Sequence, residues 1–154
     1  MIVRQATQAD IPVLVSLRMG LFCEVGELSD PLVDVDLWQA TSAYFSAGQA
    51  DGSARSWVAE VEGEVVASGT LALFVRPPYP GNLSGREAYL LNMYTLPAYR
   101  KQGMASALLD AMVAHARAEQ LGKVWQHAGE QGRPLYERMG FVANPACLEW
   151  QPAV

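Results

Sequence analysis

The run Tyr99-Arg100-Lys101-Gln102-Gly103-Met104-Ala105 constrains this chain more than any other, because it joins a strand-forming segment to the most regular helix in the sequence. Residues 88–95 read as a strand ended by Pro97. From Met104 to about Leu121 the pattern places Ala105, Leu108, Leu109, Met112 and Ala116 on one face, and Gly122 closes the helix. A helix start exposes unpaired N–H groups and a partial positive charge. Gly103 and Ala105 let that backbone come close to a ligand, and Arg100 and Lys101 add two full charges, so the turn suits a diphosphate. It is neither the GxxxxGK[ST] nor the GxGxxG phosphate loop, since only one glycine occupies it. The same residues also suit a tight connector with a solvated basic face, and the turn alone does not choose between the two.

The remaining elements supply the context. A capping pattern at Thr7-Gln8-Ala9-Asp10 with Pro12 starts a helix whose stripe is Ile11, Leu14, Val15, Leu17 and Leu21. A weaker helical pattern covers 33–47. Segments 57–61 and 65–74 flank Glu62-Gly63-Glu64 and predict a hairpin. Residues 76–86, rich in proline and glycine, predict a long loop with a functional role near the mouth of the site. Beyond the long helix, 123–127 predicts a strand, 134–139 a short helix, and 141–150 the last strand or strands. The order is strand, two helices, hairpin, then strand-helix-strand-helix-strand, an α/β (α+β) arrangement with a mixed sheet and helices on its faces.

At 154 residues the chain fits one domain, 1–154. Its 51% hydrophobic content against 18% charged suffices for a buried core. Apolar runs such as residues 71–75 are strand-sized, so no membrane span is expected. The start carries no secretory pattern, so a cytoplasmic location is expected. A net charge of −5 with scattered Lys and Arg excludes duplex nucleic acid as a natural partner and favours a cationic small molecule or peptide. Cys23 and Cys147 have no metal-ligand spacing, so they read as reduced thiols and no metal site is expected.

The segments Tyr89-Leu90-Leu91-Asn92-Met93-Tyr94-Thr95, Arg100 to Ala105 and Leu135-Tyr136-Glu137-Arg138-Met139-Gly140-Phe141 resemble the GCN5-related N-acetyltransferase (GNAT) superfamily, whose Arg/Gln-x-x-Gly-x-Gly/Ala signature falls on Arg100, Gly103 and Ala105. The specific likeness spans residues 88–141; residues 1–87 agree in pattern only. The resemblance implies a mostly antiparallel sheet splayed at its centre with helices on both faces. It also implies acetyl-coenzyme A as co-substrate. The amides of Arg100, Lys101, Gln102, Gly103, Met104 and Ala105, helped by Ser106, would hold the pyrophosphate. Met93, Tyr94 and Thr95 would pair their backbone with the pantetheine arm, and one amide near Met93 or Tyr94 would polarise the thioester carbonyl. A homodimer is compatible with the family's habit.

A lysine-like amine is neutral in only about one molecule in 2,500 at pH 7, a deficit of roughly 4.6 kcal/mol, so acetyl transfer to a primary amine needs help with proton removal. The resemblance implies Tyr136 as the acid that protonates the departing thiolate; the alternative is a core tyrosine capping a carbonyl. For the base the sequence departs from the family, with Asn92 and Tyr94 where several members carry a glutamate. Glu24, Glu27 and His127 are the candidates, each also readable as a surface or strand-end residue. Gly129-Glu130-Gln131-Gly132-Arg133 departs too, where many members place an asparagine against the cofactor arm. His115 and the aromatics Trp38, Tyr44, Trp57, Trp125 and Trp150 read as packing residues. Two readings of the activity follow: an N-acetyltransferase acting on a small-molecule or peptide amine by direct attack, or a regulatory module that binds an acyl-coenzyme A without turnover.

Overall fold

Short-range signals place most elements where the sequence puts them. The computed structural model describes residues 1–152. In chain order it contains β1 (Ile2–Gln5), α1 (Ile11–Glu24), α2 (Val35–Asp51), β2 (Ala54–Val61), β3 (Glu64–Val75), β4 (Arg86–Thr95), α3 (Met104–Ala118), β5 (Lys123–Trp125) and α4 (Arg133–Arg138). Ahead of α1, the Asp10 carboxylate accepts the Thr7 amide N–H at 2.7 Å and also binds Arg4 at 2.7 Å, so charge and cap fix the helix entry together. Asp34 caps α2 by accepting from the Leu37 amide at 2.8 Å, and Gly52 ends it in the left-handed region. Glu62 and Gly63 both take positive φ, the two-residue hairpin turn whose twist matches its strands.

The strands lie in the order β1-β2-β3-β4-β5, antiparallel throughout except that β5 runs parallel to β4. Alternation along β2 splits the core between the two faces of the sheet. Trp57 and Ala59 join Leu71, Ala88 and Leu90 against Leu108, Leu109 and Met112 of α3. Val58 points the other way, into Ile11, Leu14, Val15 and Met19 of α1 and Phe45 of α2. Each fully buried Leu contributes about 1.5–3 kcal/mol, which holds helices on both faces.

Two irregularities open the middle of the sheet. Pairing of β4 with β5 stops at Tyr89↔Trp125, where β5 ends, while β4 runs on to Thr95; the two strands part like a fork, as the resemblance implies. Against β3 the register jumps between Ser68↔Tyr94 and Thr70↔Leu91, so Gly69 alone faces Asn92 and Met93, and Asn92 sits at φ 62°. A Cβ at Gly69 would stand 2.4 Å from Met93 Sδ and 2.7 Å from Met112 Sδ, so any side chain here would make both methionines shift.

Three expectations need correction. Residues 141–150 form no strand: Asn144 Oδ1 accepts the Ala146 amide at 3.1 Å in a turn around Pro145, which has no N–H for a ladder, and the pieces on either side are too short to pair. Trp150, assigned to packing, is 86% exposed as a result. The long helix ends at Ala118, not near Leu121, because Gln120 takes φ 55° and the Leu121 amide bonds back to the Ala116 carbonyl. Gly122 instead makes room for Asn82 of the 76–85 loop, whose Nδ2 would lie 2.0 Å from a Cβ at that position.

Candidate active site

The turn after β4 keeps the backbone geometry that an anion needs. Lys101 (φ 59°) and Gly103 (φ 85°) are both left-handed, a backbone conformation found where N–H groups gather around an anion. Gly103 is the N-cap of α3, and among the described residues no side chain caps that end. The first backward bond of α3 runs from the Ala107 amide to the Gly103 carbonyl, so the amides of Met104, Ala105 and Ser106 lack a partner inside the helix. Among the described residues nothing lies within 4 Å of where a Gly103 side chain would start. A diphosphate at this place meets unpaired donors and the positive end of a 15-residue helix.

The side chains of the turn serve other purposes. Arg100 bonds to Glu24 at the end of α1, donates from Nε to the Thr95 carbonyl at 3.0 Å, and lies 5.5 Å over the Tyr94 ring. It therefore straps α1 to the end of β4. Gln102 donates to the Ala98 carbonyl at 3.2 Å, Met104 is buried under α3, and Lys101 stays exposed. Burial, reinforced by the neighbouring Glu24, pushes the Tyr94 hydroxyl above the usual tyrosine range. Glu24 is thus the partner of Arg100, and Glu27 lies in the connection between α1 and α2.

Along the fork, β4 from Leu90 to Thr95 has no strand on its β5 side among the described residues, which leaves the backbone edge at Met93, Tyr94 and Thr95 without a ladder partner there. The bulge turns the Asn92 peptide away from regular pairing, and Ser68 Oγ approaches its carbonyl at 3.4 Å. Asn92 itself is 4% exposed, and neither polar atom of its side chain finds a partner among the described residues.

Tyr136 on α4 opens into a cavity of about 770 Å³ between α3, β5, α4 and the segment that follows, which also reaches Tyr89 and His127. Its ring stacks edge-on against Phe141 at 5.6 Å, and burial pushes its hydroxyl up despite a hydrogen bond with Gln126, so the phenol keeps its proton at neutral pH. None of the turn residues 100–106 lines this cavity. His115 packs edge-on to Trp57 at 5.0 Å, as expected of a structural histidine.

Sequence reasoning overlooked Glu87. It is fully buried, accepts from Trp125 Nε1 at 2.7 Å and from Arg76 at 3.3 Å, and takes the Tyr79 hydroxyl. Burial alone would raise its pKa, yet those three donors bring it below the ordinary glutamate value. A charged residue inside the apolar run of β4 was the available signal. Its donors tie the 76–85 loop to the beginning of β4, the far end of that strand from the glycine turn.

Comparison with known proteins decides the family. The family model described as the acetyltransferase (GNAT) family matches residues 23–141. The chain belongs to that family. The GNAT protein is 32% identical over 152 residues to the uncharacterized N-acetyltransferase YjgM of Escherichia coli (strain K12), covering 91% of this chain and 81% of that one. Among solved structures, it resembles a predicted acetyltransferase with acetyl-CoA from Clostridium acetobutylicum at a TM-score of 0.87 and 31% identity, covering 97% and 95% of the two chains. A GCN5-related N-acetyltransferase from Ralstonia eutropha JMP134 follows at 0.84 and 27%, with 97% of each chain covered. This GNAT protein is therefore an acetyl-CoA-dependent N-acetyltransferase acting on amine acceptors.

Its residues fit that co-substrate. Among the described residues, three unpartnered helix-start amides, open space at Gly103 and an unpaired β4 edge suit a diphosphate and an amide-bearing arm. Among the described residues no group of metal-ligating side chains accompanies them, and no helix is long and apolar enough to cross a membrane.

Proposed function

We propose that the protein acetylates a primary amine of a small molecule or peptide by direct attack, the acceptor approaching the fork between β4 and β5. The uncapped start of α3 carries this reading, because the amides of Met104, Ala105 and Ser106 have no partner among the described residues and Gly103 leaves open space before them. Bound acetyl-CoA supplies the acetyl group as an activated thioester. The backbone from Arg100 to Ser106 holds the diphosphate, and the edge at Met93, Tyr94 and Thr95 aligns the arm. An amide beside the bulge at Asn92 donates to the carbonyl oxygen where negative charge develops.

Tyr136 Oη gives its proton to the departing sulfur; its raised pKa keeps that proton available at neutral pH. The net charge of −5 draws an ammonium-bearing acceptor toward the protein. We place the reaction in the cytoplasm, within one domain, and a homodimer belongs to the same reading. Free thiol released from acetyl-CoA across a panel of primary amines tests it. Amine-dependent release is the expected result; coenzyme A binding without release for any amine overturns the reading in favour of a binding module.

A further inference from the structure

We propose that Tyr89, His127 and Glu149 form a proton relay that takes the proton from the attacking amine. The proposal rests on the acetyl-transfer reading above. Tyr89 Oη contacts His127 Nδ1, with the two rings 5.4 Å apart, and His127 Nε2 lies 2.6 Å from Glu149 Oε1. A carboxylate only accepts, so the imidazole proton resides on Nε2. That leaves the Nδ1 lone pair facing the phenol, which must donate. The three side chains therefore form a directed chain, phenol to imidazole to carboxylate, with its open end at Tyr89.

The position of that end matters. Tyr89 is the last β4 residue paired with β5, at the crotch of the fork, and it lines the same cavity as Tyr136. The donor to the leaving sulfur and the acceptor from the nucleophile thus share one space. Burial, against a hydrogen bond from the His127 backbone and with Glu149 and Cys147 adding to it, pushes the Tyr89 hydroxyl up, so it serves as a relay holding its own proton and not as a standing phenolate. Glu24 is committed to Arg100, and buried Glu87 to Trp125, Arg76 and Tyr79, while Glu27, in the connection between α1 and α2, does not line this cavity. Glu149 pairs with the histidine, and the charged or titratable groups that line the cavity with it are Tyr89 from β4, Lys123 from β5, Arg117 from α3, Cys147 from the C-terminal segment, and Tyr136 with the Arg133–Glu137 pair of α4, self-compensated at 2.7 Å.

The step balances as follows. The amine nitrogen forms its bond to the acetyl carbon and loses one proton to Tyr89 Oη while the Tyr89 proton passes to His127 Nδ1. The carbon–sulfur bond breaks with its electron pair on sulfur, which takes a proton from Tyr136. His127, 61% exposed beside Glu149, releases its gained proton to water, and Tyr136 recovers one from the same source. Tyr89 is the catalytic residue of the relay; His127 and Glu149 act through it.

Steady-state kinetics of His127→Gln test the relay. The expected result is a fall in kcat of about 10²- to 10⁴-fold with loss of the acid limb of the wild-type pH profile, KM for acetyl-CoA unchanged, and coenzyme A binding by calorimetry intact. Tyr89→Phe should match it, and imidazole in the buffer should restore at least about tenfold to His127→Ala, which a purely structural histidine would not allow. In the unliganded wild type, nitrogen-15 spectra should show His127 protonated on Nε2 and bare on Nδ1. Wild-type turnover with an unaltered profile in His127→Gln, or a proton found on Nδ1, overturns the relay alone. Absence of any amine-dependent turnover in the wild type overturns the reading beneath it.

Discussion

Replacing Gly103 with alanine separates the fold from the cradle. At φ 85° an alanine costs about 1–2 kcal/mol relative to glycine. Because the new Cβ meets no described atom within 4 Å, no clash adds to that figure. For a chain of 154 residues the cost corresponds to a fall in Tm of about 2–8 °C, so the variant should still fold. Binding should suffer more. The methyl group projects into the open concave side, and relaxation of the backbone away from the left-handed region turns the amides of the turn off their common target. Losing one hydrogen bond to a charged phosphate is worth about 1.5–3 kcal/mol, or about 10- to 150-fold in Kd for coenzyme A. Titration calorimetry on both proteins at matched salt reads this directly. A Kd within threefold of wild type, with the variant folded, refutes the claim that main-chain donors at this turn hold the diphosphate.

Three other outcomes follow from the same structure. Tyr136→Phe should lower kcat by about 10²-fold or more while coenzyme A binding persists and stability falls by only about 1 kcal/mol for the lost Gln126 bond; single-turnover thiol release checks it. Asp10 is held at a pKa of about 2 by hydrogen bonds from Arg4, with Thr7 adding to them against burial. A depressed carboxylate stabilises the fold above its unfolded value and loses that contribution as pH falls from about 4 through 2, so Asp10→Asn should cost about 1–2 kcal/mol at pH 7, after allowing for the one-third exposure of Arg4, and almost nothing near pH 2 in urea melts. Gly85→Ala should cost about 3 kcal/mol or more in thermal unfolding, since its Cβ would lie 1.8 Å from the Arg76 carbonyl oxygen at φ 66° and would pry the loop from Glu87.

Features that depend on neighbours along the chain were legible before any coordinates. The caps at Thr7–Asp10, the Glu62-Gly63 turn and the apolar stripe of α3 are set by steric and hydrogen-bonding rules acting over a few residues. So was the helix start behind Gly103, but not what it binds, since the same residues suit a tight connector as well as an anion. Residues 141–150 misled for the converse reason: their apolar content suits a strand, but a strand exists only where another offers its edge, and the turn at Asn144 withholds these residues from one. What the sequence could not disclose is pairing at long range. Arg100 and Glu24 stand 76 positions apart, Tyr89 and His127 38, and whether a charge is spent on a strap or left free for a ligand depends on which side chains the closing sheet brings face to face.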